Sequence, residues 1–197
     1  MFKHFKKADP NRKYVRTGLV AYADKIEITE NMGWGSLLPE RELKRMQAGG
    51  GTSTTRAFRW AYNQLKSSNI SEASAHSRNT RFVPRHREFR AKRERQFLRV
   101  IVFMTDGENT DSRHGRSLYI NRNDDILTER YCNQAKQDGI IVYSIAFSAA
   151  ERGKELLKKC SSSIKEHYFE PRTGQELISV FKTIAQETSY IGTRLVK

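Results

Sequence analysis

An α/β fold with a mostly parallel central sheet and helices on both faces is predicted by three features of this 197-residue chain. Short β-type runs alternate with helical patterns along its length. Two runs, Leu98 to Met104 and Ile140 to Phe147, are nearly continuous apolar stretches, as strands covered on both faces require. Between them lie segments whose apolar residues recur at three-to-four spacing, the period of a helix with one buried face.

The elements follow in order. In Tyr14 to Tyr22, Val15, Thr17, Leu19 and Ala21 alternate with Arg16, Gly18, Val20 and Tyr22, which makes a two-faced strand. Lys25 to Thr29 reads as a short edge strand. Pro39-Glu40-Arg41-Glu42-Leu43 opens a small helix with proline in its first turn, and Gly49-Gly50-Gly51 ends it. From about Ser53 to Ser67, Phe58, Ala61, Tyr62 and Leu65 share one helical face. Residues 67–95 read as a loop, Ser-rich first and Arg-rich afterwards, with Pro84 inside it. Asp124 to Gln137 is helical and is stopped by Gly139. A helix from Arg152 to about Cys160 and a short strand at His167 to Glu170 come next. Thr173-Gly174-Gln175-Glu176 is a capping box, and it opens a last helix that buries Leu177, Val180, Phe181, Ile184 and Ala185.

Length and composition fit one domain over 1–197, with a basic Ser/Arg-rich insertion at about 67–96. No apolar run approaches the ~18 residues that span a bilayer. The basic start, Met1 to Lys7, has no apolar stretch behind it and is not a secretory signal. Net charge is +14, and half of it is local: Arg78 to Arg99 holds nine Arg or Lys and two Glu. That concentration points to one basic segment within an ordinary domain, not to a nucleic-acid-coating surface. Arg78, Arg81, Arg85, Arg87, Arg90, Lys92, Arg93 and Arg95 form its candidate basic surface. The two cysteines, Cys132 and Cys160, are open by count alone to a reading as buried free thiols.

Ligands of parallel α/β sheets bind where strand carboxyl ends meet helix N-termini. Two segments fall there. Gly49-Gly50-Gly51-Thr52-Ser53-Thr54 precedes a helix, and Thr105-Asp106-Gly107-Glu108 follows the most apolar strand. A carboxylate with hydroxyls, and no His or Cys, suits a hard cation such as Mg²⁺. Each segment also has an ordinary role, Thr52 or Ser53 as a helix N-cap and Asp106-Gly107 as a turn. No Ser or Cys sits on a nucleophile turn and no His lies beside a candidate base, so the chain reads as non-enzymatic.

In this order and on these elements, the two segments resemble the von Willebrand factor A (VWA) family. More narrowly the chain resembles the C-terminal VWA domain of TadG-like, Flp-type pilus assembly proteins, through Val15 to Tyr22, Gly50 to Thr54 and Val102 to Thr110. Further likeness runs through Cys132 to Phe147 and Leu156 to Ser161. The resemblance implies a Rossmann-like three-layer fold and a metal-ion-dependent adhesion site (MIDAS). In such a site a divalent cation, usually Mg²⁺, is completed by an acidic group from a protein partner. By position its ligands are Thr52 and Asp106, with Ser53 and Glu108 beside them. The family's Asp-x-Ser-x-Ser segment is missing here, and with it three ligands and the first central strand. Either the strands flanking that position pair directly, or the chain is an N-terminally truncated domain; the second is expected, with metal binding weak or absent. The resemblance also implies a Cys132–Cys160 disulfide and a place in the cell envelope or periplasm, on a membrane anchor upstream of this chain.

The function implied is protein–protein interaction and assembly in the bacterial envelope, in Tad-type pilus assembly or adhesion. The alternative is a protein with no metal site whose basic loop binds nucleic acid or an anionic surface. Phe82, Phe89 and Phe97 are too sparse for a base-stacking platform, which makes nucleic acid the poorer partner.

Overall fold

A computed structural model describes residues 1–35, 37–44, 50–75, 97–111 and 119–195. Its strands are β1 (Arg16–Tyr22), β2 (Ile26–Trp34), β3 (Val100–Thr105), β4 (Thr110–Asp111), β5 (Tyr119–Ile120), β6 (Ile141–Ala146) and β7 (Tyr168–Phe169). Its helices are α1 (Phe2–Ala8), α2 (Leu37–Leu43), α3 (Thr54–Ala75), α4 (Arg122–Gln137), α5 (Glu151–Cys160), α6 (Ile164–His167) and α7 (Gly174–Leu195).

The parallel sheet runs β3-β6-β7. Its central strand β6 shows why an unbroken apolar run was needed. Val142 and Ala146 face a core with Phe58, Tyr62 and Leu65 of α3, Cys132 and Ala135 of α4, and Leu156, Leu157 and Cys160 of α5. Tyr143 and Ile145 face the other way, onto Leu177, Val180, Phe181 and Ile184 of α7. Helices therefore cover both faces, and α1 lies against α7. The disulfide joins Cys132 to Cys160, tying α4 to α5 across the end of the first core.

The hairpin β1-β2 forms its own antiparallel sheet. Although β1 and β3 are neighbours, they do not pair, so direct pairing of the flanking strands does not occur. No strand lies between them among the described residues. The separation is bridged by a side chain. The amide of Phe147 donates to the Thr105 carbonyl, so Thr105 points toward β6 and the preceding carbonyl, Met104, points away from it. The Tyr22 hydroxyl donates to that Met104 carbonyl at 2.7 Å.

Several expectations need correcting. The second strand runs to Trp34, well beyond Thr29, because backbone pairing carries it the length of β1 even where Asn31 and Gly33 spoil the side-chain alternation. Helix α3 continues to Ala75, so 67–75 is not loop; once a helix is nucleated, adding a turn is cheap even for a Ser-rich stretch. Short α1, α6 and the β4-β5 pair were not foreseen, since pieces this small carry little periodicity. The basic surface from Arg78 to Arg95 lies outside the described residues.

Candidate functional site

The two candidate segments meet at the carboxyl end of β3. The Thr110 amide donates to the Thr52 carbonyl at 2.8 Å, and the Thr52 amide donates to the Thr110 hydroxyl at 3.0 Å. A Cβ built on Gly107 would stand 3.0 Å from the Thr52 hydroxyl, so that hydroxyl is seated against the Asp106-Gly107 turn. The turn is held from within, because the Gly107 amide donates to the Thr105 hydroxyl at 3.2 Å. Ser53 is tied to the hairpin through its amide, which donates to the Ala23 carbonyl at 2.7 Å. Asp106 is exposed and Glu108 half-buried at the rim. Tyr22 lies close by, its hydroxyl on the Met104 carbonyl one residue before Thr105. Burial raises its pKa well above the ordinary phenol value; a hydrogen bond with Thr105 opposes this, and the nearby carboxylates of Asp106 and Asp124 reinforce it.

Neither Thr52 nor Ser53 supplies the first helical N–H of α3 with its acceptor. The Thr54 amide donates to Asn109 Oδ1 and to Asp124 Oδ2, both at 2.9 Å. Asn109 comes from the loop after β3 and Asp124 from the first turn of α4, so the cap is tertiary. It belongs to a larger polar lattice. The hydroxyls of Thr54 and Thr55 lie 2.7 and 2.8 Å from that of Thr128, and Thr55 also donates to the Asp124 carbonyl at 2.8 Å. Asn109 Nδ2 donates to Thr54 Oγ1 at 2.9 Å and to Asp125 Oδ1 at 2.7 Å. Arg152 of α5 closes the chain with Nε 2.7 Å from Asp125 Oδ2. The lattice gives each of its buried threonine hydroxyls a partner, and it fixes how α3, α4 and α5 meet beneath the site.

Asp124→Ala should lower the unfolding free energy by about 1–3 kcal/mol, because it removes a buried charged acceptor from a helix end. Asp124→Asn, which retains an oxygen, should lose less. Amide exchange read beside a urea titration checks this. Unchanged protection at Thr54 and Thr55 in the alanine variant would show that Asp124 is not the cap.

Thr52 and Asp106 offer two oxygen donors, short of the near-complete octahedron that Mg²⁺ demands. Among the described residues no group of three or more His, Cys, Asp or Glu is arranged to hold a metal ion. As they stand, these residues do not fit a tightly held cation. Asn109, Thr128, Asp125 and Arg152 escaped the sequence reading. Asn109 alone had a signal, its place two residues beyond Gly107. A groove of about 630 Å³ between α3 and α4, beside Tyr62 and Asp138, lies apart from the site and contains none of its residues.

The domain is thus a split α/β sheet with threonine and aspartate segments at the carboxyl end of β3. The von Willebrand factor type A domain family matches residues 2–183, and the chain belongs to that family. No curated protein matches. Among solved structures, the chain is similar to the vWF domain of Mfa5, the type V pili tip protein of Porphyromonas gingivalis. The TM-score is 0.63 and the identity 13%, over 94% of this chain and 84% of that one. It is also similar to the pilus adhesin SpaC from Lactobacillus rhamnosus GG, with TM-score 0.61 and 13% identity over 95% of this chain. The match spans 27% of the SpaC chain, about a quarter of its length. At such identities the likeness is one of fold.

Proposed function

We propose that this chain is a non-enzymatic protein–protein interaction and assembly module of the bacterial cell envelope, serving pilus assembly of the Tad type or adhesion. The observation that carries the reading is the meeting of Thr52 with the Asp106-Gly107 turn at the strand carboxyl ends of a VWA fold. Both similar structures come from pilus proteins, an adhesin and a tip protein, which supports the same kind of role. The disulfide supports an envelope location, since such bonds persist outside the reducing cytoplasm. The partner offers an acidic group and is a pilus-assembly or other envelope component. Among the described residues no helix is long and apolar enough to cross a membrane.

The test is site-specific photocrosslinking in the source cells, with the probe at Glu108 and, as a control, at Gln137 on the far end of α4. Adducts to an envelope protein from Glu108 alone support the reading. Adducts to nucleic acid, or the same adducts from both positions, defeat it. The incomplete MIDAS is tested separately by calorimetric titration with Mg²⁺. Binding should be absent or no tighter than millimolar, and saturable micromolar binding would show that the chain completes the site without the missing segment.

A further inference from the structure

A second surface lies at the opposite end of the domain. Tyr22 reaches Met104 and Ala23 holds Ser53, so β1 ends at the candidate site. Arg16, its first residue, stands at the other end of a seven-residue strand, roughly 20 Å away at ~3.3 Å per residue. There β1 pairs Arg16 with Trp34, the last residue of β2.

The chain around this end is built to turn its cations outward. Asp9 is buried, and its carboxylate accepts from the amides of Lys13, Tyr14 and Val15 at 2.9, 2.8 and 2.8 Å. Burial alone would raise the Asp9 pKa, but these backbone hydrogen bonds outweigh it and hold the carboxylate below its ordinary value. The single acid among residues 1–16 is thus committed to the interior, while Lys3, Lys6, Lys7, Arg12 and Lys13 are exposed. None of these five cations forms an ion pair among the described residues. Arg12 holds a left-handed backbone, φ 54°, a conformation that costs a non-glycine residue about 1 kcal/mol or more. Its side chain lies against Gly35, and Lys6, Arg12 and Gly35 ring one small depression that joins α1 to the hairpin end. Two aromatic side chains complete the patch. Tyr14 is 59% and Trp34 48% exposed, and the Arg16 guanidinium lies 5.5 Å from the centre of the Trp34 ring.

We propose that this end of the domain, formed by Lys6, Lys7, Arg12, Lys13, Tyr14 and Trp34, rests on an anionic phospholipid surface. The cations meet lipid phosphates at about 1 kcal/mol each, and the two amphipathic rings settle at the headgroup level. Nucleic acid fits less well, because Arg16 already covers one face of Trp34, and among the described residues of this patch only Tyr14 offers another exposed ring for a stacked base. The surface shares no residue with the Thr52–Asp106 site. Seated this way, the domain would present that site away from the lipid.

The test measures binding of the full chain to vesicles of phosphatidylcholine alone and of phosphatidylcholine mixed with phosphatidylglycerol. Binding is expected to the mixed vesicles only, and to fall as salt rises. The Lys6→Glu/Arg12→Glu double variant should bind roughly tenfold or more weakly, at about 1 kcal/mol per cation lost and more for reversal. Trp34→Ala should weaken binding severalfold with an unchanged salt dependence. Lys92→Glu/Arg93→Glu, in the basic segment, should bind the mixed vesicles nearly as well as the parent. All three changes lie on exposed or basic-segment positions, and an unchanged unfolding midpoint confirms folding. Equal binding to both vesicles, loss only in the basic-segment variant, or duplex DNA outcompeting the mixed vesicles would each overturn the proposal.

Discussion

Replacing Cys132 and Cys160 together with alanine should lower the unfolding free energy by about 3–4 kcal/mol. The two cysteines are 28 residues apart, and freeing a loop of that length restores about this much chain entropy to the unfolded state. A domain of ordinary stability, about 5–15 kcal/mol, would lose a large fraction of it. Both sulfurs lie at 0% exposure between α4 and α5, so the bridge also seals a packed core that alanine only partly refills. Urea unfolding of parent and variant, each with and without reductant, isolates the bridge. Reductant should shift the parent toward the variant and leave the variant unmoved. A parent midpoint insensitive to reductant at full reduction would mean that the bond contributes little.

Gly153→Ala should destabilise the protein by about 1–3 kcal/mol, against the usual sign of such a change. Within a helix, alanine is normally better than glycine by about 1 kcal/mol. Gly153 lies in the first turn of α5, and a Cβ there would stand 2.7 Å from the Gly107 carbonyl oxygen and 3.4 Å from its carbon. The obstacle is backbone and cannot rotate aside. Either α5 lifts, straining the Asp125–Arg152 pair, or the Asp106-Gly107 turn is pushed against Thr52. Thermal unfolding and the amide shifts of residues 105–110 report the two responses. A raised melting temperature with unmoved shifts would show that α5 and the turn are not in such close contact.

Much of this architecture was legible because its signals are local. The unbroken apolar runs at β3 and β6 reported burial on both faces before any partner was known. The capping box at Thr173 was legible for the same reason. The Glu176 amide donates to the Thr173 hydroxyl at 3.2 Å, and the Glu176 carboxylate reaches back to the Arg172 amide at 2.7 Å and to the amide of Thr173. The two segments of the candidate site were marked by glycines beside oxygen-bearing side chains, a pattern confined to a few neighbouring residues. What escaped was non-local. Nothing near Thr54 announces that its amide is capped by Asn109 and Asp124, 55 and 70 residues further on. The fate of Asp9 was equally hidden, since a lone acid in a basic stretch reads as a surface charge until its three amide donors are seen.

By itself the sequence determined the alternation of strands and helices, the family to which the chain belongs, and the two turns that could face a ligand. Each depends on side-chain periodicity or turn chemistry acting over a handful of residues. Only the tertiary structure decided that β1 and β3 remain unpaired with Tyr22 spanning to Met104, that a polar lattice locks three helices beneath Thr52, and that the basic N-terminal segment gathers with Tyr14 and Trp34 on the far end. Those outcomes rest on hydrogen bonds and contacts between segments distant in the chain, whose geometry exists only once the layers have packed.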